Sequence, residues 1–150
     1  MMKKIYPILI TLPLLYLAAC WGPNDPDIEC EVVPVAGDDN NVIGKWKLVE
    51  WQQVVMINGG WKIENYSCDN IVYHFQEDGI LSVSSDVTNE FGGEFHDGSM
   101  YELAEESFDN YYSYQLKIGT LGYWFSLVDG IMKLDMRPVD GPLLTLIRIE

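Results

Sequence analysis

The sequence is short of positive charge. Nine Lys and Arg stand against 23 Asp and Glu, a formal net charge of −14. Nucleic-acid binding rests on cations that neutralise phosphates, so this balance excludes nucleic acid as a partner. Histidine is scarcer still. His74 lies within Tyr73-His74-Phe75, and His96 stands beside the turn dipeptide Asp97-Gly98. A metal site needs several converging ligands, so the two are read as one partly buried and one exposed histidine, and no metal is assigned. No Gly-x-Ser-x-Gly elbow, phosphate loop or His-Glu-x-x-His helix occurs, which leaves no catalytic residues and no cofactor to assign. The three cysteines lack Cys-x-x-Cys spacing, and with it a redox dithiol or zinc knuckle. Carboxylates cluster around Glu90, Glu94 and Asp97 and around Glu105, Glu106 and Asp109. Neither cluster has the spacing of a calcium loop, and both are read as solvated loops. The N-terminal apolar run, 5–17, is shorter than the roughly 20 residues a membrane-spanning helix needs, and Pro7 and Pro13 interrupt it.

What that run does have is context. Lys3 and Lys4 precede it, and Tyr16-Leu17-Ala18-Ala19-Cys20 ends it, in the order of a secretory signal. Leu17-Ala18-Ala19-Cys20 resembles the lipobox of bacterial lipoproteins. The resemblance implies a signal peptide over 1–19 and lipid modification of Cys20 as the first mature residue. It also implies anchorage of the chain to the bacterial outer membrane. A plain secretory signal with an incidental cysteine is the alternative. Each buried CH₂ of such a lipid contributes about 0.8 kcal/mol, so two or three acyl chains hold a domain at the membrane almost permanently. Removing 19 of 150 residues leaves 131, enough for one domain with its own core, and loss of Lys3 and Lys4 takes the charge from −14 to −16. That acidity reads as colloidal repulsion or, more sharply, as attraction for a basic ligand or protein.

Residues 20–41 are rich in Pro, Asp, Asn and Gly and read as a flexible acidic arm. Its run Asp25, Asp27, Glu29 and Glu31 resembles in composition the surface-export signals of Bacteroidetes lipoproteins. Cell surface and periplasmic face both stay open. With Cys20 taken by lipid, Cys30 and Cys68 form an even pair in an oxidising compartment. The expectation is a disulfide that pins the arm to the domain, with two free thiols as the alternative.

From Val42 the pattern changes. Short runs of β-branched and aromatic residues are divided by Asn58-Gly59, Asp78-Gly79, Asp97-Gly98, Asp129-Gly130 and Asp140-Gly141, the strongest short-range hairpin signals. Trp46 and Leu48 alternate with lysines, and Met132, Leu134 and Met136 alternate with Lys133 and Asp135. Strands are predicted over 43–56, 61–67, 70–76, 80–85, 94–103, 111–118, 123–128, 131–137 and 143–149, with one helix candidate at 103–108. The fold expected for 42–150 is all-β: an antiparallel up-and-down barrel of about eight strands, closed because closure removes exposed edges.

Gly44-Lys45-Trp46 on the first strand and Arg148 on the last resemble the signature of the lipocalin and calycin barrels. There a Gly-x-Trp packs beneath a late-strand arginine that lies across the indole. The order of elements also fits, from GKWKLVEW through IVYHFQEDG to the hairpin IMKLDM–LLTLIRIE. The chain is similar to the small lipocalin-like lipoproteins of Bacteroidetes. It departs from larger lipocalins in its shorter length and in lacking their second motif and C-terminal helix. The resemblance implies that Gly44, Trp46 and Arg148 form a structural closure. It further implies that the protein binds or carries a small hydrophobic molecule at the envelope. An enzyme built on the barrel, as some calycins are, is the least favoured alternative, since no catalytic motif is present.

Aromatic residues are the one excess that fits such a function. Tyr73, Phe75, Tyr112, Tyr114, Tyr123 and Phe125 are the ligand-binding candidates, in strands where one face lines the interior. The plainer reading has them filling a small barrel's core. In that case the protein is an interaction module, an accessory subunit or surface inhibitor that meets an envelope protein partner with a solid barrel.

Overall fold

The computed structural model describes residues 30–55, 59–87, 96–108 and 111–150, with backbone alone at 54–55, 105–108 and 111–115. The signal segment, Cys20 and the arm up to residue 29 lie outside this set. Nine strands follow one another: β1 (Gly44–Val55), β2 (Gly60–Asn65), β3 (Val72–Phe75), β4 (Ile80–Ser84), β5 (Ser99–Phe108), β6 (Tyr111–Ile118), β7 (Leu121–Val128), β8 (Ile131–Asp135) and β9 (Leu143–Arg148). The one helical element among the described residues is a single 3-10 turn, Arg137–Val139.

Alternation sets the strands' inward faces. In β8 Met132 and Leu134 are fully buried while Lys133 between them is exposed. In β9 Leu144, Leu146 and Arg148 turn inward. Every strand pairs antiparallel with its neighbours, and β1 pairs with β9 to close an eight-position barrel. β1 is long enough to carry two partners on its other edge, β3 beside Gly44–Lys47 and β2 beside Glu50–Val55. The all-β antiparallel barrel expected from the hairpin series is therefore the fold observed. Trp46, Leu48, Ile71, Tyr73, Phe75, Leu81, Leu116 and Leu146 are fully buried in its core. Burying each such side chain contributes roughly 1.5–3 kcal/mol.

Two local expectations need correction. Residues 103–108 are not a helix, and the fifth strand does not run over 94–103. β5 spans Ser99–Phe108 and pairs with β6 without a break from Tyr101↔Ile118 to Phe108↔Tyr111. A six-residue helix cannot repay its nucleation cost, whereas this ladder satisfies the backbone on a whole edge. The β4–β5 seam is correspondingly thin, with only Ile80↔Met100 and Leu81↔Ser99 in register. Asp97 extends it by accepting a hydrogen bond from the Val83 amide at 2.8 Å.

One end of the barrel is sealed. Trp46 lies opposite Tyr73 on β3 and Arg148 on β9, all three on the inner face. The Arg148 guanidinium carbon stands 4.5 Å from the indole centroid, and its Nη2 donates to the carbonyls of Asp38 and Asn41 at 2.9 and 2.6 Å. The Trp46 Nε1 donates to Val42 O at 2.7 Å. Gly44 opens β1 at φ 130°, where a Cβ would come within 2.5 Å of the Glu150 carbonyl oxygen. Residues 30–41 complete the seal. The Val35 amide donates to Arg148 O, and Cys30 is disulfide-bonded to Cys68 in the connection between β2 and β3. The disulfide ties the arm to the domain, as its two cysteines suggested.

Candidate functional site

The other end is a cup, and a bulge in β1 shapes it. Leu48 pairs with Leu146 and Glu50 with Thr145, so Val49 is an extra residue in the strand. The bulge reverses the parity of everything after it. Trp46 and Leu48 face inward before it, and Trp51, opposite Leu144, faces inward after it. Trp51 thereby becomes one wall of a cavity of about 230 Å³. Tyr73 of β3 and Tyr123 of β7 contribute further walls, and the β8–β9 connection adds Met136 and Pro142.

His96, from the segment leading into β5, supplies polarity. It is 5% exposed, and its Nε2 lies 2.7 Å from the Tyr123 hydroxyl. Its ring stands edge-on to Tyr123, with centroids 5.7 Å apart, and tilted against Tyr73. Burial holds the His96 pKa below the usual imidazole value, so the ring is neutral at neutral pH. Burial raises the Tyr73 and Tyr123 hydroxyls above the ordinary phenol range, and both stay protonated. A neutral imidazole and a neutral phenol joined by one hydrogen bond present donor and acceptor capacity without charge. Apart from His96, none of the described residues lining the cup is acidic or basic. In a chain with 23 carboxylates, that is a marked local exception.

The candidate aromatics separate by position. Tyr73 and Tyr123 meet in the cup. Phe75 does not reach it: it is fully buried lower in the core, edge-on to Tyr101 at 4.9 Å, and acts as packing. Phe125 is half-buried and borders a second hollow of about 450 Å³ toward the sealed end, with Leu103, Leu127, Asp39 and Asn40. β6 runs between β5 and β7, and its side chains at 111–115 are not among those described, so this hollow carries no assignment. Tyr112 and Tyr114 lie on that stretch: their backbones pair with Ser107 and Glu105, and their side chains fall outside the described set.

Sequence reasoning missed Trp51, His96, Met136 and Leu144. The alternation of β9 could have pointed to Leu144. Nothing local marks the bulge that turns Trp51 inward. The expectation of one partly buried and one exposed histidine needs correction: His96 is buried and His74 is half-buried. Of the acidic clusters, Glu90, Glu94 and Asp109 lie outside the described residues, and Asp97 is engaged with Val83. Among the described residues no three His, Cys, Asp or Glu side chains converge as metal ligands would. No family model matches the chain, and neither the curated proteins nor the solved structures include a match.

Proposed function

We propose that the protein binds a small, uncharged, largely apolar molecule in the cup and carries it at the bacterial envelope from a lipid on Cys20. The uncharged aromatic cup in a strongly acidic chain is the observation that supports this reading. Its walls favour flat apolar ligands, and the His96–Tyr123 pair can orient one hydroxyl or carbonyl. Its volume lies below the roughly 300 Å³ at which typical ligand pockets begin, which limits the ligand to about one or two rings. The stacking of Arg148 on Trp46 agrees with a lipocalin-like closure at the opposite end.

Native mass spectrometry of the protein purified from its own cells tests the reading. The expected result is a discrete added mass, lost on denaturation and extractable into organic solvent. That ligand should quench Trp51 fluorescence, and Trp51→Phe should remove the quenching. An unliganded mass, with no quenching by a library of small aromatics, would overturn the carrier reading. The many fully buried core side chains, Trp46, Leu48, Phe75 and Leu116 among them, favour the interaction module as the second reading in that event. Cys20→Ser should move the protein from the membrane to the soluble fraction, and continued membrane association would rule out the lipid anchor.

A further inference from the structure

β2 differs from the other eight strands. Among the described residues it is paired along one edge only, to β1. The Tyr66 amide donates to Val49 O at 2.8 Å, and that bond fixes which residues face the open edge. Gly60, Lys62 and Glu64 share the parity of Tyr66 and turn their main-chain groups toward β1. Trp61, Ile63 and Asn65 turn theirs away. Two of these three are large apolar residues left in solvent: Trp61 is 50% and Ile63 59% exposed. Such an edge is a template for another strand.

The charges on β2 identify which strand. Lys62 and Glu64 stand one residue either side of Ile63 and are bridged to each other at 2.5 Å within the chain. Read backwards about Ile63, the strand exchanges cation for anion. We infer that β2 is the docking edge for a second copy of this chain, the two strands pairing antiparallel about a two-fold axis through Ile63. In that register Ile63 meets its own copy, Trp61 meets Asn65, and Lys62 meets Glu64. The outward-facing residues then form hydrogen-bonded pairs on both copies. Lys62 and Glu64 occupy the intervening pairs, where side chains approach more closely and opposite charges attract. A two-fold contact needs this self-complementarity, and an unrelated peptide strand does not. Pairing at this edge must overcome the repulsion of two strongly acidic chains. The dimer does not depend on what occupies the cup, so either reading can fail without the other.

Sedimentation equilibrium of the full chain in a mild detergent tests the pairing. The salt is set to about 150 mM, where a Debye length of about 8 Å suppresses whole-chain repulsion. The wild type should show a monomer–dimer equilibrium. Lys62→Glu and Glu64→Lys each leave one sign of charge on the strand, and each should raise the dissociation constant about tenfold. An equimolar mixture of the two variants should recover dimers, because strands of opposite sign then face each other. A wild type monomeric up to about 100 μM would leave the edge to some other strand and overturn the proposal. Dimers indifferent to both substitutions, or a mixture that fails to recover them, would equally overturn it.

Discussion

Trp46 is the residue on which the sealed end depends. Its ring is fully buried beneath the Arg148 guanidinium, and its Nε1 is satisfied by Val42 O. Trp46→Ala leaves a cavity and a guanidinium without its ring, and should lower stability by roughly 3–5 kcal/mol in urea denaturation. A loss under about 1 kcal/mol would mean that the arm seals the end without it. His96 carries a pH dependence. Burial depresses its folded-state pKa, so the unfolded chain takes up the proton first. Stability is therefore full above the unfolded value of about 6.5 and falls as pH drops through it. His96→Gln should flatten the urea midpoint between pH 7.5 and 5.5. An unchanged profile would mean that His96 protonates in place.

At the scale of elements, the disulfide is the strongest tie outside the barrel ladder. It joins residues 38 apart in sequence. By loop-closure entropy, Cys30→Ser with Cys68→Ser should cost about 4 kcal/mol, read as a drop in urea midpoint against the oxidised protein. The strands themselves were legible wherever chemistry was local. Asp129 and Gly130 supply the two positive φ values, 51° and 73°, of the β7–β8 turn, and Met132 and Leu134 alternate as a half-buried strand must. Legibility failed where pairing between distant segments decided the outcome. The 103–108 stretch holds acids and an alanine that suit a short helix, yet β6 claims its backbone. The cup was half legible for the same reason. Tyr73 and Tyr123 could be named from their strands, but the bulge at Val49 is set by β9, and His96 is buried by β3 and β7 rather than by its neighbours in sequence.

For the whole molecule, surface charge is the dominant electrostatic term. The described ion pairs, Lys45–Glu150, Lys62–Glu64, Lys117–Glu102 and Arg137–Asp135, all lie at the surface. Such exposed pairs contribute little to stability and weaken with salt. Repulsion among the surplus carboxylates acts across the entire surface and is relieved by salt. Raising ionic strength from about 10 mM to about 150 mM should therefore raise the melting temperature in a calorimetric scan. A fall would show that the local pairs outweigh the general repulsion.

The link between Cys30 and Cys68 also sets how the molecule bears mechanical load. Tension arriving from the residues before Cys30 enters the domain through the sulfur bridge into the β2–β3 connection. It bypasses residues 31–41, so the seal over Trp46 and Arg148 is shielded from a pull on the N-terminal side. While the bridge is intact, the stretch of 38 residue spacings between the cysteines cannot extend, which withholds about 130 Å of contour length from any forced unfolding. Reductant reroutes the same force directly into the sealed end. The bond thus decides which part of the barrel yields first when the protein is pulled.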